Sequence, residues 1–293
     1  MNEKISILLP TRGRKELAER FIATAYDNCT LPKKVEFILY IDQDDIKSQE
    51  IIVKNAYIIK IIGERCSMGA CNMRCLAEAN GEIIVLANDD VIIRTRGWDE
   101  KIRLMHRSIN DQIYLAYPND LNKGKNLSAF PILSRRTCEL LSQPYPILYR
   151  GAFIDTHLME IFIRLKHMRD NRIRYMEDVV FEHLHFRIGK VEIDQTYKDR
   201  DRFADDMIFI SLNNVRKDAA KFLSNVINKK INDCSKYDYA EPYIVKRPSS
   251  LFAMIALSAN LYFFDINLPL RLRIRNFFYY VTRWVIVNMK LFR

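Results

Sequence analysis

Short apolar segments alternate with amphipathic ones through the first third of the chain. Runs of aliphatic and β-branched residues predict buried strands at residues 5–9, 35–41, 57–62 and 82–87. Between these strands, apolar side chains recur at helical spacing over residues 15–28 and 68–79. Strands separated by helices of this length are typical of βαβ units. The pattern therefore predicts an α/β fold, a Rossmann-like and mainly parallel sheet flanked by helices.

Beyond residue 91 the pattern is less regular. It predicts strands and helices at residues 98–108, 112–117, 134–141, 155–169, 173–185 and 207–231. Ser134 is the expected capping residue of the third of these segments. A loop-like stretch follows at residues 237–248, and the remaining residues are apolar, aromatic and basic. This change of composition predicts a main domain at residues 1–235 and a helical C-terminal extension at residues 236–293.

Composition places the chain among ordinary globular proteins with an excess of positive charge. Its 293 residues are 49% apolar and include 46 Lys and Arg against 36 Asp and Glu, a formal charge of +10. Such values exclude disordered, collagen-like and low-complexity classes. Six cysteines without a CxxC motif are too few for a disulfide scaffold, and no signal peptide is recognised, so a cytoplasmic location is expected. No apolar run reaches the roughly 18 residues of a membrane span.

Two adjacent carboxylates follow the strand predicted at residues 82–87. Asn88, Asp89 and Asp90 stand directly after its last apolar residue. Ligands of open α/β sheets gather outside the carboxyl ends of the strands. Oxygen ligands at such a place suit Mg²⁺ or Mn²⁺, which would bridge phosphate oxygens. The alternative interpretation is a solvated turn at the end of a buried strand.

Two further strand ends carry polar side chains. Thr11, Arg12 and Arg14 follow the first strand, and Asp42 follows the second. Arginine can bind phosphate through two parallel hydrogen bonds, and an aspartate can accept a hydrogen bond from a base or a ribose hydroxyl. Each residue taken singly is also explained by a turn or a helix cap. Their coincidence at successive strand ends favours a site for a nucleotide diphosphate.

Two histidines end the strand predicted at residues 173–185. His183 and His185 are two positions apart, so both imidazoles are expected on the same side of the strand. Histidines at this spacing can bind a metal, and beside the aspartates they would fill remaining coordination positions. The alternative is a structural or surface role.

Asp155 stands at the start of the amphipathic segment at residues 155–169. As an N-terminal capping residue it would stabilise the helix by about 0.5–2 kcal/mol and need no other role. As a general base it would deprotonate an acceptor hydroxyl during displacement at a sugar carbon. The sequence leaves both interpretations open.

Four segments carry a resemblance to a known family. They are ISILLPTRGR at residue 5, SMGACNMRCLAEANGEIIVLANDDVIIRTRGWD at residue 67, GAFIDTHL at residue 151 and EHLHFRIGKVEIDQTY at residue 182. The first resembles a first strand with its nucleotide loop, and the second resembles a small-residue helix that leads to a DxD-type loop. The third resembles the start of a helix that carries a catalytic carboxylate, and the fourth resembles a histidine-containing tail. Together they resemble nucleotide-sugar glycosyltransferases of the GT-A fold, of the inverting family-2-like kind, over roughly residues 5–197.

The resemblance implies roles for individual residues. Asp155 would be the base, and Asp90 with His185 or His183 would bind Mn²⁺ or Mg²⁺. The nucleotide-sugar donor, for which a UDP-sugar is favoured, would contact Thr11, Arg12, Arg14, Asp42, Gly69, Asn72, Asn88 and Asp89. Many relatives have an aspartate where this chain has Asn88, so a full three-carboxylate ligand set is not expected. Residues 1–235 would form the catalytic domain, and the reaction would be a single displacement with inversion.

The last 28 residues hold six cations and no carboxylate, namely Arg271, Arg273, Arg275, Arg283, Lys290 and Arg293. Aromatic residues lie between them, which fits a helix on an anionic membrane surface. Alternatively, the aromatic side chains pack back on the catalytic domain and leave the arginines as a solvated rim. No nucleic-acid-binding motif is present, so no such partner is expected. We expect a peripheral enzyme on the inner face of the cytoplasmic membrane, with a lipid-linked glycan acceptor in surface polysaccharide synthesis.

Two other functions remain open at this point. A sugar-nucleotide nucleotidyltransferase would also place carboxylates and a cation at strand ends, but residues 10–14 contain only one of the glycines that its first loop usually has. A non-catalytic, membrane-associated adaptor could retain the same fold.

Overall fold

A mixed sheet forms the centre of the protein. The computed structural model describes residues 3–184, 203–231 and 235–289. In this part of the chain the sheet has eight strands: β1 Ile5–Thr11, β2 Val35–Asp42, β3 Tyr57–Gly63, β4 Ile83–Leu86, β5 Val91–Ile93, β6 Leu115–Asn119, β7 Ile132–Ser134 and β8 Ile173–His183. Their order across the sheet is β3-β2-β1-β4-β7-β6-β8-β5.

The helices follow the strands in the order expected for βαβ units. They are α1 Lys15–Asp27, α2 Ile46–Gln49, α3 Met68–Glu78, α4 Trp98–Arg107, α5 Arg135–Leu141, α6 Ile154–His167, α7 Asp206–Ser211, α8 Asn213–Ile227, α9 Leu251–Tyr262 and α10 Leu270–Asn288. The helix expected over residues 207–231 is in fact two, because α7 ends and α8 begins on either side of Leu212. The capping role of Ser134 is confirmed, since its side chain accepts from the backbone N–H of Thr137.

The two halves of the sheet differ in direction. Strands β3, β2, β1 and β4 are parallel neighbours, so all four carboxyl ends lie at one edge. Strand β7 then runs antiparallel to both β4 and β6, β6 pairs parallel with β8, and β8 pairs antiparallel with β5. The predicted α/β, mainly parallel sheet is thus confirmed, with its antiparallel pairs confined to the second half.

Alternate residues of the central strands enter two separate cores. Ile5, Ile7 and Leu9 of β1 pack with Phe21 of α1, whereas Leu8 belongs to the cluster on the opposite face. All four β1 side chains are fully buried. A strand covered by helices on both faces reads as a continuous apolar run, which is the pattern that the sequence shows here.

The C-terminal helices contribute to the second of these cores. Tyr262, Leu268 and Tyr280 are buried in the same cluster as side chains of α6 and α8. The guanidinium of Arg283 in α10 binds the carboxylate of Asp206 in α7, with Nε–O distances of 2.8 and 2.9 Å. The division into a catalytic domain and an extension near residue 236 stays a prediction, but the described residues on its two sides pack together.

The connection between α9 and α10 and the start of α10 carry exposed apolar side chains. Phe264, Ile266 and Leu270 expose 78%, 74% and 63% of their surface. Arg271 and Arg275 of α10 are exposed as well. In the described ranges, no helix is both long enough and apolar enough to cross a membrane.

Candidate active site

Three parallel strand ends meet above the first half of the sheet. Strand β1 ends at Thr11, β2 ends at Asp42, and the chain leaves β4 through Asn88, Asp89 and Asp90. Because β1 lies between β2 and β4, Thr11 and its successors stand between the two groups of carboxylates. This arrangement fits the expectation that ligands gather at the carboxyl ends of strands.

Asp89 is held from the β1 side. The Thr11 hydroxyl donates to Asp89 Oδ2 at 2.7 Å, and Arg14 Nη1 donates to Asp89 Oδ1 at 3.0 Å. Burial, together with the neighbouring charge of Asp90, raises the pKa of Asp89 to about 6, although Arg14 and Thr11 act in the opposite direction. The structure therefore brings Thr11, Arg14 and Asp89 together, as the sequence predicted for a shared site.

Arg12 turns to the β2 side. Its guanidinium donates to Asp42 Oδ2 at 2.7 Å and to Asp44 Oδ2 at 2.8 Å. The bond with Asp44 and the burial of the guanidinium act in opposite directions on the pKa of Arg12, and the net effect raises it. The backbone of Gly13, at φ +66°, donates to Asp45 Oδ2 at 2.6 Å. The loop after β1 is thus fixed to the loop after β2 by ionic and backbone bonds.

Asp90 meets His183 through pairing of distant strands. Val91 is opposite His183 in the β5–β8 ladder, and the N–H of Leu184 donates to the carbonyl of Asp90 at 2.8 Å. His183 Nε2 lies 3.4 Å from Asp90 Oδ1, and Asp90 is 2% exposed. The Asp90 carboxylate is a ligand type that suits Mn²⁺ or Mg²⁺, and the His183 imidazole that faces it has a lone pair to offer. Within the described residues, no third His, Cys, Asp or Glu side chain completes a metal-binding group with them. His185 lies outside the described residues, and Asn88 is exposed.

Asp155 is not the N-cap of its helix. Phe153 occupies that position with φ +66° and makes no side-chain cap bond, and Asp155 is the second residue of α6. Its Oδ1 accepts from the backbone N–H of Thr156 at 2.7 Å. The capping interpretation is therefore wrong in detail, because the carboxylate lies inside the first turn. The general-base role stays a prediction.

The chain around Asp155 leads to the same edge of the sheet. The hydroxyl of Ser128 donates to the backbone carbonyl of Asp155 at 3.1 Å. Ser128 precedes β7, whose amino end lies beside the carboxyl end of β4, since Leu86 N–H donates to the carbonyl of Pro131 at 2.9 Å. The start of α6 is thus placed close to the strand end that carries Asp89 and Asp90.

Gly69 and Asn72 have local roles in α3. The N–H of Gly69 donates to the carbonyl of Tyr149 at 2.9 Å, and a Cβ at position 69 would stand 2.0 Å from the carbonyl oxygen of Pro146. Asn72 is buried, and its side-chain amide donates to the carbonyl of Met68 at 2.9 Å. These contacts explain both residue types by packing, and their assignment to the donor stays a prediction.

Three carboxylates with clear contacts here were not among the predicted site residues. Asp44 binds Arg12, and Asp45 accepts from the N–H of Gly13. The signal of both was their place in the acidic run after β2. Asp205 accepts hydrogen bonds from the loop before α6. It follows no predicted strand end, so no periodicity or motif pointed to it.

Two solved glycosyltransferase structures share this architecture. The mannosyltransferase PcManGT from Pyrobaculum calidifontis, in complex with GDP-Man and Mn²⁺, has a TM-score of 0.51 and 13% identity, over 99% of this chain and 88% of that chain. Glucosyl-3-phosphoglycerate synthase from Mycobacterium tuberculosis, in complex with Mn²⁺ and UDP-Glc, has a TM-score of 0.50 and 16% identity, over 73% and 79% respectively. No family model and no curated protein sequence matches the chain. The fold is thus the GT-A fold that the resemblance implied.

Proposed function

We propose that the protein is a glycosyltransferase that moves a sugar from a nucleotide-diphosphate sugar to an acceptor hydroxyl. One observation carries this proposal: two sets of polar contacts lie side by side at the carboxyl edge of a GT-A sheet. Thr11 and Arg14 bind Asp89, and the next residue, Asp90, faces His183. The two solved structures of the same fold, which hold GDP-Man or UDP-Glc together with Mn²⁺, support it.

Donor binding would rearrange ion pairs that already exist. Arg12 and Arg14 are paired with aspartates of the site, so their guanidinium groups are held at the strand ends. The diphosphate of the sugar donor would accept hydrogen bonds from these two guanidinium groups. Asp42 and Asp89 would accept hydrogen bonds from the base and the ribose. A divalent cation held by Asp90 and His183 would supply positive charge to the leaving diphosphate.

Asp155 is the proposed base. In this role the Asp155 carboxylate takes the proton of the acceptor hydroxyl, the hydroxyl oxygen attacks the anomeric carbon, and the bond from that carbon to the leaving diphosphate breaks. Because the base acts on the acceptor and the enzyme forms no bond to the sugar, the product has the inverted anomeric configuration. NMR of the product tests this point, and retention of the donor configuration would contradict it.

A first experiment separates binding from turnover. Wild type, Asp155→Asn and the control Asp178→Asn, an exposed carboxylate paired with Lys101, are assayed for UDP binding and for UDP-glucose and GDP-mannose hydrolysis with Mn²⁺. We expect all three to bind the nucleotide, and only Asp155→Asn to lose turnover, by about 10²–10⁴-fold. Wild type without any hydrolysis would favour the adaptor, and pyrophosphate release from a nucleoside triphosphate would indicate a nucleotidyltransferase.

We propose further that the exposed connection between α9 and α10, with the start of α10, binds an anionic membrane and that the acceptor is a lipid-linked glycan. Phe264, Ile266 and Leu270 expose large apolar side chains there, and Arg271 and Arg275 are exposed in the first two turns of α10. Apolar side chains beside cations suit the boundary between acyl chains and anionic headgroups. A peripheral enzyme of surface polysaccharide synthesis, on the inner face of the cytoplasmic membrane, would need such a surface to reach its acceptor.

A further inference from the structure

A single buried carboxylate holds the loop that leads into α6. Asp205 Oδ1 accepts from the backbone N–H of Arg150 at 2.9 Å. Its Oδ2 accepts from the N–H groups of Gly151 at 2.9 Å and of Ala152 at 2.7 Å. Asp205 is 3% exposed, so the carboxylate that accepts these three bonds from consecutive peptides is itself buried. Bonds to an ionised acceptor are about twice as strong as neutral ones.

The three peptides fix the direction in which the helix begins. The next residue, Phe153, has φ +66°, a conformation that non-glycine side chains rarely adopt. Asp155 follows two positions later. The orientation of the first turn, and with it the position of the Asp155 carboxylate, therefore depends on a strained residue whose preceding peptides are anchored by Asp205.

The segment that contains Asp205 is itself bound to the C-terminal helix α10. Asp206, the neighbour of Asp205, is bound by Arg283 of α10. The ring of Phe153 packs against Phe209 of α7 at a centroid distance of 5.0 Å. Asp205 thus stands in a short segment that is tied to α10 on one side and to the start of α6 on the other.

We propose that Asp205 is a positioning residue for Asp155: it holds residues 150–152 so that the base meets the acceptor. This inference rests on the proposed function, since it presumes that Asp155 is the base. Displacement of a catalytic group by about 1 Å can cost about 10²-fold in rate. The isosteric Asp205→Asn change keeps the shape but removes the charge and turns an NH₂ group toward backbone donors.

The test compares Asp205→Asn with a matched control, Asp170→Asn. Asp170 also accepts two side-chain bonds, from Ser224 and Asn228, but has no contact with the loop. The substrate is whichever of UDP-glucose and GDP-mannose the wild type hydrolyses faster. For Asp205→Asn we expect kcat to fall about 10–100-fold, with the donor KM and the Kd for UDP within twofold of wild type. The control should keep all three values.

Hydrogen exchange gives a readout that does not depend on the reaction. In Asp205→Asn, amides 150–152 should exchange at least about tenfold faster than in wild type, whereas Asp170→Asn should leave them unchanged. Unchanged exchange, or a kcat equal to wild type in a folded variant, would overturn the inference. If wild type hydrolyses neither donor, the proposed function falls and the role of Asp205 in positioning a base falls with it. If wild type is active and only Asp155→Asn is impaired, this inference alone fails.

Discussion

The sheet edge and the C-terminal helix pair both carry arginines, yet they use them differently. At the sheet edge, Arg12 and Arg14 bind carboxylates of the candidate site. In α10, Arg283 is buried against Asp206. Arg271 and Arg275 of the same helix are exposed beside apolar side chains. The net charge of +10 therefore combines binding, structural and surface roles that only position in the fold separates.

This difference bears on the interpretation of the C-terminal segment as a helix whose cations all face a membrane. Its cations are not a uniform surface for lipid, because Arg283 joins α10 to α7, and Arg273 donates to the carbonyl of Tyr262 at 3.1 Å. Part of the helix pair packs on the protein, as the alternative interpretation expected, and the membrane role of its exposed residues stays a prediction. Substitutions at these positions separate the structural, binding and surface roles.

Arg283→Met should destabilise the protein most. It leaves the buried carboxylate of Asp206 without its partner, a change that typically costs about 3–5 kcal/mol. Arg275→Met, at an exposed position of the same helix, should alter the free energy of unfolding by less than about 0.5 kcal/mol. Urea unfolding monitored by circular dichroism measures both. Equal stability of the two variants would show that the arginines of α10 are equivalent after all.

Asp90→Ala tests the sheet edge. Loss of this carboxylate should lower donor turnover about 10²–10³-fold, the usual cost of removing one electrostatic group from an active site. It should also weaken the dependence on Mn²⁺. The control is Glu139→Ala, an exposed carboxylate on α5, which follows β7 at the opposite edge of the sheet. Full activity of Asp90→Ala, or full wild-type activity in excess chelator, would refute the proposed cation site.

The double variant Phe264→Ser/Ile266→Ser tests the proposed membrane surface at the connection between α9 and α10. Each large apolar side chain contributes about 1.5–3 kcal/mol when it leaves water, so binding to vesicles with anionic lipid should fall at least about tenfold. The matched control, Ile52→Ser, removes a side chain that is 78% exposed near β3. Co-sedimentation with vesicles measures both, and unchanged binding of the double variant would exclude this surface.

The pH dependence of stability reports on one buried histidine in each of two regions of the protein. Burial lowers the pKa of His157, assisted by the charge of Arg216, and burial also lowers the pKa of His106. Each ring bonds a tyrosine hydroxyl at 2.9 Å, that of Tyr149 and Tyr114 respectively. Because the unfolded chain takes up these protons near pH 6.5 and the folded protein resists them, stability should fall as the pH decreases below 6.5, with a slope of at most about 1.4 kcal/mol per pH unit for each histidine.

His157→Gln separates the two histidines. The variant loses one of the two groups, so its free energy of unfolding should depend less steeply on pH between 6.5 and 5 than that of wild type. Chemical unfolding at several pH values gives the slope. An equal slope in wild type and variant would mean that His157 is protonated in the folded state.

Local patterns predicted the elements of this molecule better than its contacts. The strands of the first half, the Ser134 cap and the polar strand ends follow from spacing and residue type within about ten positions. Three contacts join residues that are 53 to 77 positions apart in the chain. They are the bonds of Arg14 with Asp89, of Asp205 with the N–H of Ala152, and of Arg283 with Asp206. Such pairs leave no periodic signal, so one sequence cannot reveal them.

The β5–β8 pairing sets an order on the assembly of the candidate site during synthesis. Asp90 leaves the ribosome more than ninety residues before His183, and the two approach only when β8 has docked between β6 and β5. A nascent chain that has completed the parallel strands β1 to β4 already has its paired aspartates and arginines. It lacks the imidazole that faces Asp90, so the proposed cation site cannot exist before the second half of the sheet is formed.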